Sequence, residues 1–299
     1  MRYLNRYKNF FSSIEKDGAY RFYIKPTETL NGLSSAVSAL NNAERAKGVS
    51  RTSTPLQLTD RRIFLKRFAA GDFKHMLRMT FGLKRRQGGF DWPIAELVNS
   101  CEVLTRGGNI PDLKAFGFCF SPLGLIKEVF LIFELMDGYI DGLQWLELIK
   151  DNPDAVELFL TDCVALIANL HQREIYHLDP WLENIMLHPS QPRRLFPIDV
   201  ENCFIGKPPS AFTVTGFQFG YMFQRGPMQV FQEERFDRIV KGLLQTYPGF
   251  DATSLNAYEI CKRAWLGRKQ RQLTPLGIID ADKTHPFPHY FSARPSGQD

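Results

Sequence analysis

The sequence predicts an α+β chain in two parts, a small antiparallel sheet with one companion helix followed by a mainly helical half. Three observations predict it. Residues 61–68, Arg-Arg-Ile-Phe-Leu-Lys-Arg-Phe, alternate basic and apolar side chains as a strand does, and residues 113–120 and 125–135 are strand-like runs bending around Ser121-Pro122. Residues 153–173 instead carry Val156, Phe159, Leu160, Cys163, Leu166, Ile167 and Leu170 at helical spacing, a stripe suited to a core. A polar loop, residues 175–184, follows that helix directly. It leads into two short apolar runs, 185–188 and 194–199, that read as a hairpin.

Taken in order, residues 1–16 set Tyr3, Tyr7, Phe10, Phe11 and Ile14 at helical spacing among Arg2, Arg6, Lys8 and Lys16, which predicts an amphipathic helix. Such a helix packs on a core, and a basic aromatic one can also lie on an anionic membrane surface. Residues 30–46 read as another helix and 47–55 as a polar loop, so 1–55 form a helical extension ahead of the sheet part, 56–138. Within 56–138 a helix starts at Trp92-Pro93, with Pro93 suited to the first turn, and runs to Arg106, where Gly107-Gly108 stops it. The run 74–89, with Lys74, Arg78, Lys84, Arg85 and Arg86, reads by itself as a solvated basic face. The helical part, 139–299, carries helices at 143–150, 153–173, 228–246 and 252–266, a loop at 206–220 and a polar tail. In that tail His285 and His289 have no acid or cysteine at ligand spacing and receive no metal role.

With 299 residues and 44% hydrophobic content, the chain can bury one large core or two moderate ones. The net charge of +5 suits anionic partners such as nucleotides, sugar phosphates or acidic lipid, and no nucleic-acid partner is expected. The five cysteines, at 101, 119, 163, 203 and 261, are odd in number, widely spaced and mostly set in apolar runs, which predicts free thiols in a reducing cytosol rather than disulfides or a zinc site. No run approaches the length of a membrane span, and no apolar leader with a cleavage site opens the chain.

The chemistry sits in residues 175–199. Phosphoryl transfer to a hydroxyl needs a carboxylate that meets the acceptor proton and, a short loop away, an oxygen ligand for the metal on the triphosphate. Asp179 and Asn184, in Ile-Tyr-His-Leu-Asp-Pro-Trp-Leu-Glu-Asn, have that chemistry and that separation. A second acid is needed on the far side of the metal, and Asp199, closing Arg194-Leu-Phe-Pro-Ile-Asp, fits. Taken singly these pieces are common, and a histidine such as His177 is more often a buried, hydrogen-bonded side chain than a catalyst. Their order along the chain carries the signal.

In that order the pieces resemble the protein-kinase-like superfamily and, within it, the bacterial lipopolysaccharide core kinases that phosphorylate heptose or Kdo sugars, over roughly residues 61–206. The resemblance implies a bilobal protein-kinase-like fold and an ATP-dependent enzyme using Mg2+, with an inner-core sugar hydroxyl as acceptor. It places the enzyme in the cytoplasm, with peripheral contact at the inner membrane. It also implies roles: Asp179 as the catalytic carboxylate, Asn184 and Asp199 as metal ligands, Lys66 on the α and β phosphates of ATP, and Glu96 as its partner, with Glu102 the rival on the same helix. On the same grounds the basic run 74–89 would bind anionic groups of an acidic glycolipid. The chain departs from the pattern in having no Gly-x-Gly-x-x-Gly between Ser50 and Lys66 and in placing Pro180 directly after Asp179. Val200-Glu201-Asn202 stands where protein kinases carry Phe-Gly, with Glu201 read as an exposed acid. The competing readings are a kinase of a small molecule or a protein and, from another class, a pseudokinase that binds nucleotide or a partner without transfer.

Overall fold

The computed structural model describes residues 2–7, 10–84, 89–279 and 285–286. The chain divides into two units, one of Met1–Asp137 with Asp199–Glu201, the other of Gly138–Ile198 with Asn202–Asp299. The first is built on an antiparallel six-stranded sheet and the second is mainly helical, so the α+β class holds.

In the first unit the strands are β1 (Ser13–Asp17), β2 (Tyr20–Ile24), β3 (Arg51–Gln57), β4 (Arg62–Ala69), β5 (Leu113–Phe120) and β6 (Ile126–Glu134), in the spatial order β1-β2-β5-β6-β4-β3. Helix α1 (Leu33–Ala46) packs Leu33 and Val37 against Phe22, Leu65, Phe130 and Ile132 on one face. Helices α2 (Phe73–Phe81) and α3 (Trp92–Thr105) cover the other through Met79, Ile94, Leu97 and Cys101, against Phe68, Phe118, Val129 and Leu131. Both faces being covered, the central strands β5 and β6 read as nearly unbroken apolar runs instead of alternating.

The helix expected at 30–46 forms as α1, but the rest of the helical extension expected over 1–55 does not. Arg2–Tyr7 is a six-residue 3-10 helix, and β1, β2 and β3 belong to the sheet. The aromatic residues that suggested a helix face are used by the sheet instead: Tyr7 and Phe11 are buried in its α3-side core, which leaves the reading of a membrane-lying helix without its helix. The β1–β2 hairpin closes through the two-residue turn Gly18-Ala19, between the paired Asp17 and Tyr20, with Gly18 at φ 54, where a side chain would be strained. Residues 51–57 alternate exposed and half-buried positions as an edge strand does, and such a strand tolerates Pro55.

The second unit starts with β7 (Ile140–Asp141), α4 (Gly142–Ile149) and the long α5 (Pro153–Gln172), capped by Asn152 accepting from the Ala155 N–H at 3.1 Å. Of its expected stripe, all but the half-buried Leu166 are buried. Then follow β8 (Ile175–His177), β9 (Ile185–His188), β10 (Gln191–Pro197), β11 (Cys203–Ile205), α6 (Ala211–Gln224), α7 (Pro227–Val230), α8 (Glu233–Leu244), α9 (Ala252–Arg263) and the one-turn α10 (Arg268–Arg271). The pair β9–β10 is the expected antiparallel hairpin, and β8 pairs with β11. All five cysteines are free thiols. No helix among the described residues is long and apolar enough to cross a membrane.

Helix α6 replaces the loop expected near 206–220. Its run Ala-Phe-Thr-Val-Thr-Gly-Phe-Gln-Phe-Gly-Tyr has weak helix propensity, but Thr213–Gln224 is wholly buried, and burial overrides propensity there. Gly216 and Gly220, one turn apart, let α9 approach: a Cβ would stand 2.0 Å from the Ser254 carbonyl at Gly216 and 2.5 Å from the Tyr258 carbonyl at Gly220. Gly216→Ala is therefore expected to destabilise the protein by about 1–3 kcal/mol, read as a lower denaturation midpoint. An unchanged midpoint would contradict this close α6–α9 contact.

Candidate active site

In the first unit three charged side chains meet. Lys66 on β4 bonds through Nζ to Glu96 Oε1 of α3 at 2.5 Å and to Asp199 Oδ1 at 3.0 Å. Burial opposes the Lys66 charge most, yet the two carboxylates together outweigh it and raise its pKa above the ordinary lysine value. Burial pushes the Glu96 carboxyl up, to about 7, against the pull of Lys66. Glu102 is engaged elsewhere, accepting from the Tyr7 hydroxyl at 2.7 Å.

Asp199 is held in an uncommon backbone state, φ 59, which Asp tolerates better than most residues. Asn99 of α3 anchors the next two residues by donating to the carbonyls of Val200 at 2.9 Å and Glu201 at 3.2 Å. Arg51, at the start of β3, brings a second cation to 3.9 Å from Asp199 while its guanidinium lies over the Trp92 ring at 4.7 Å. Sequence reading placed Arg51 in a loop and gave it no role.

The same place fits a hard cation. One carboxylate oxygen each from Glu96, Asp199 and Glu201 lies within 4.8 Å of the others, and Glu96 Oε2 is buried without a hydrogen bond. An all-oxygen donor set of this kind suits Mg2+. Glu201 is buried, not exposed as expected, because Val200–Asn202 closes into a 3-10 turn.

In the second unit the loop after β8 is tied at each step. Asp179 donates its N–H to His177 Nδ1 at 3.1 Å, so the ring hydrogen sits on Nε2, which donates to the Ile198 carbonyl at 2.9 Å. His177 thus pins the loop to the residue before Asp199, the structural role its surroundings predicted. Asn184 Nδ2 donates to the Asp179 carbonyl at 3.0 Å, so the amide is oriented by its nitrogen and its Oδ1 is the acceptor atom. The Ile198 N–H donates to the Asn184 carbonyl at 2.9 Å, fixing the hairpin end next to the loop.

The Asp179 carboxylate is buried, ion-paired at one oxygen and hydrogen-bonded at the other. Arg271 Nη2 is 2.5 Å from Oδ1, and Asn202 Nδ2 donates to Oδ2 at 3.0 Å. Behind the loop, Gln218 Nε2 donates to the His177 carbonyl at 2.9 Å and its Oε1 meets His171 Nε2 at 2.5 Å, while His171 Nδ1 meets the Tyr247 hydroxyl at 2.7 Å. Burial lowers the His171 pKa to about 4, so at neutral pH it is an uncharged strut.

Asn202 and Arg271 are residues that sequence reading missed. Asn202 was visible only as part of a substituted triplet, and Arg271 sits in Arg268-Lys-Gln-Arg, which looks like a solvated basic patch. The run 74–89 is partly structural: Arg78 Nε bonds to the buried Asp91 at 3.0 Å and Lys84 lies over the Phe90 ring at 5.5 Å. Arg85 and Arg86, like His289, lie outside the described residues.

No protein-family model and no curated protein matches the sequence. Among solved structures, that of WaaP in complex with acyl carrier protein is similar over 70% of this chain and 84% of that chain, at 16% sequence identity and a TM-score of 0.45.

Proposed function

We propose that the protein is an ATP-dependent phosphotransferase of the protein-kinase-like type whose acceptor is a sugar hydroxyl of the lipopolysaccharide inner core. The observation that carries the reading is Lys66 held by both Glu96 and Asp199. A lysine fixed as a charged donor beside oxygen ligands for a hard cation is what binding a nucleotide triphosphate through its phosphates requires. Lys66 contacts the α and β phosphates, with Glu96 setting its position, and Arg51 adds cationic charge where the chain has no glycine-rich loop. Asp199 and Asn184 would hold Mg2+, which would supply neutralisation of the charge building up on the phosphate oxygens. Asp179 accepts the hydrogen bond of the acceptor hydroxyl and takes its proton as transfer proceeds.

The heptose or Kdo acceptor rests on the motif resemblance alone, and mass spectrometry of lipopolysaccharide from cells with and without the gene tests it. Loss of one core phosphate on deletion is the expected result; an unchanged core would remove this acceptor. The second reading, nucleotide binding without transfer, draws on the missing glycine-rich stretch before Lys66, since backbone amides approach phosphate most freely at glycine. Magnesium-dependent ATP turnover in the presence of acceptor separates the two.

A further inference from the structure

We propose that Arg271, with Asn202, is a positioning residue for Asp179: the C-terminal segment, not the loop itself, supplies the cation that fixes the catalytic carboxylate. This rests on the reading of Asp179 as the group that meets the acceptor hydroxyl. The loop Asp-Pro-Trp-Leu-Glu-Asn contains no lysine or arginine, yet Asp179 is only 6% exposed, and a buried carboxylate needs a charged or hydrogen-bonded partner. Arg271, itself 5% exposed, provides it at Oδ1.

The guanidinium is anchored before it reaches Asp179. Its Nη1 donates to the Tyr221 hydroxyl at 2.7 Å and to the Leu266 carbonyl at 2.9 Å, and its plane lies near the rings of Trp181 and Tyr221. The other oxygen is held by a second chain of bonds from the same turn, since Gln272 Nε2 donates to Asn202 Oδ1 at 3.1 Å and Asn202 donates on to Asp179 Oδ2. Thr274, fully buried, closes that turn by donating to the Arg271 carbonyl at 2.8 Å. Neighbouring residues of one anchored segment thus reach both oxygens of one carboxylate. An anchor for the tail alone has no need of that symmetry, whereas a group whose task is to aim a hydroxyl does.

The test is a double-mutant cycle in steady-state phosphate transfer by the full chain, with thermal unfolding measured on each variant. Arg271→Gln should lower kcat by about 10²-fold, the cost typical of a misplaced catalytic group, with the KM for ATP unchanged. Arg271→Lys keeps the charge without the planar fork and should fall between Gln and wild type. In the Asp179→Asn background the Arg271→Gln change should add almost nothing, because its effect passes through the carboxylate. Losses that multiply in the double variant, or a loss lying wholly in KM, would overturn the proposal. Should Arg271→Gln fail to fold, Asn202→Ala removes the second anchor from outside the turn and must lower kcat in the same non-additive way; wild-type kcat there would equally overturn it. A wild-type chain without transfer would end the phosphotransferase reading and this inference together, while full kcat in Arg271→Gln ends the inference alone.

Discussion

Asp199→Asn is expected to lower phosphate transfer by roughly 10³-fold or more while leaving the protein folded. A carboxylate that holds the metal on the triphosphate contributes several kcal/mol of transition-state charge stabilisation, and each ~1.4 kcal/mol is a tenfold change in rate. The Asn variant is preferable to Ala because Asp199 sits at φ 59, a backbone state that Asn tolerates and Ala does not. Asp199→Ala should therefore show the same kinetic loss plus a stability cost on the order of 1–2 kcal/mol from the backbone alone. Lys66 keeps Glu96 in either variant, so its buried charge is not orphaned. Magnesium-dependent turnover and thermal unfolding of the three proteins measure both effects; equal turnover by wild type and the Asn variant would point to a protein that binds nucleotide without transferring phosphate.

Asp179→Asn is expected to keep ATP affinity and reduce kcat by roughly 10²–10⁴-fold, the range for loss of a general base. A loose transition state asks this group for orientation more than for early deprotonation, so the geometry of its two oxygens matters as much as its basicity. The amide removes one acceptor and the negative charge, and places an NH2 group before either the Arg271 cation or the Asn202 donor. Nucleotide affinity by calorimetry and kcat at saturating ATP separate the possibilities. Lost ATP binding with normal kcat would make Asp179 a nucleotide or metal ligand and refute its catalytic assignment.

Strands β4, β5 and β6, the α3 helix and the β9–β10 hairpin were legible because their signals are local: alternation in 61–68, proline at a first helical turn, short apolar runs around a polar turn. The residues proposed to bind and react were legible for the same reason, since Asp179, Asn184 and Asp199 lie within one short span. Where the reading failed, helical spacing of aromatics in 1–16 competed with the two-residue Gly18-Ala19 turn, and the turn prevailed because Tyr7 and Phe11 had a sheet face to fill. Helix α6 failed differently: its residues are poor helix formers, and only the fit of Gly216 and Gly220 against α9 makes the helix the stable choice.

By itself, then, the sequence determined the class of the fold, the strands β4, β5 and β6, helices α3 and α5, and the chemical identity of the groups placed on the loop and the hairpin, because these follow from periodicity and spacing over a few residues. Tertiary structure alone decided which carboxylate meets Lys66, that Glu201 is buried beside Asp199, that Arg51 stands near it, and that Arg271 and Asn202 hold Asp179. Apart from Glu201, these are contacts between residues well separated along the chain, set by how buried charges find partners once the core has formed. Nothing in the spacing of a basic tail records that one of its arginines ends beneath a tryptophan, bonded to a buried acid.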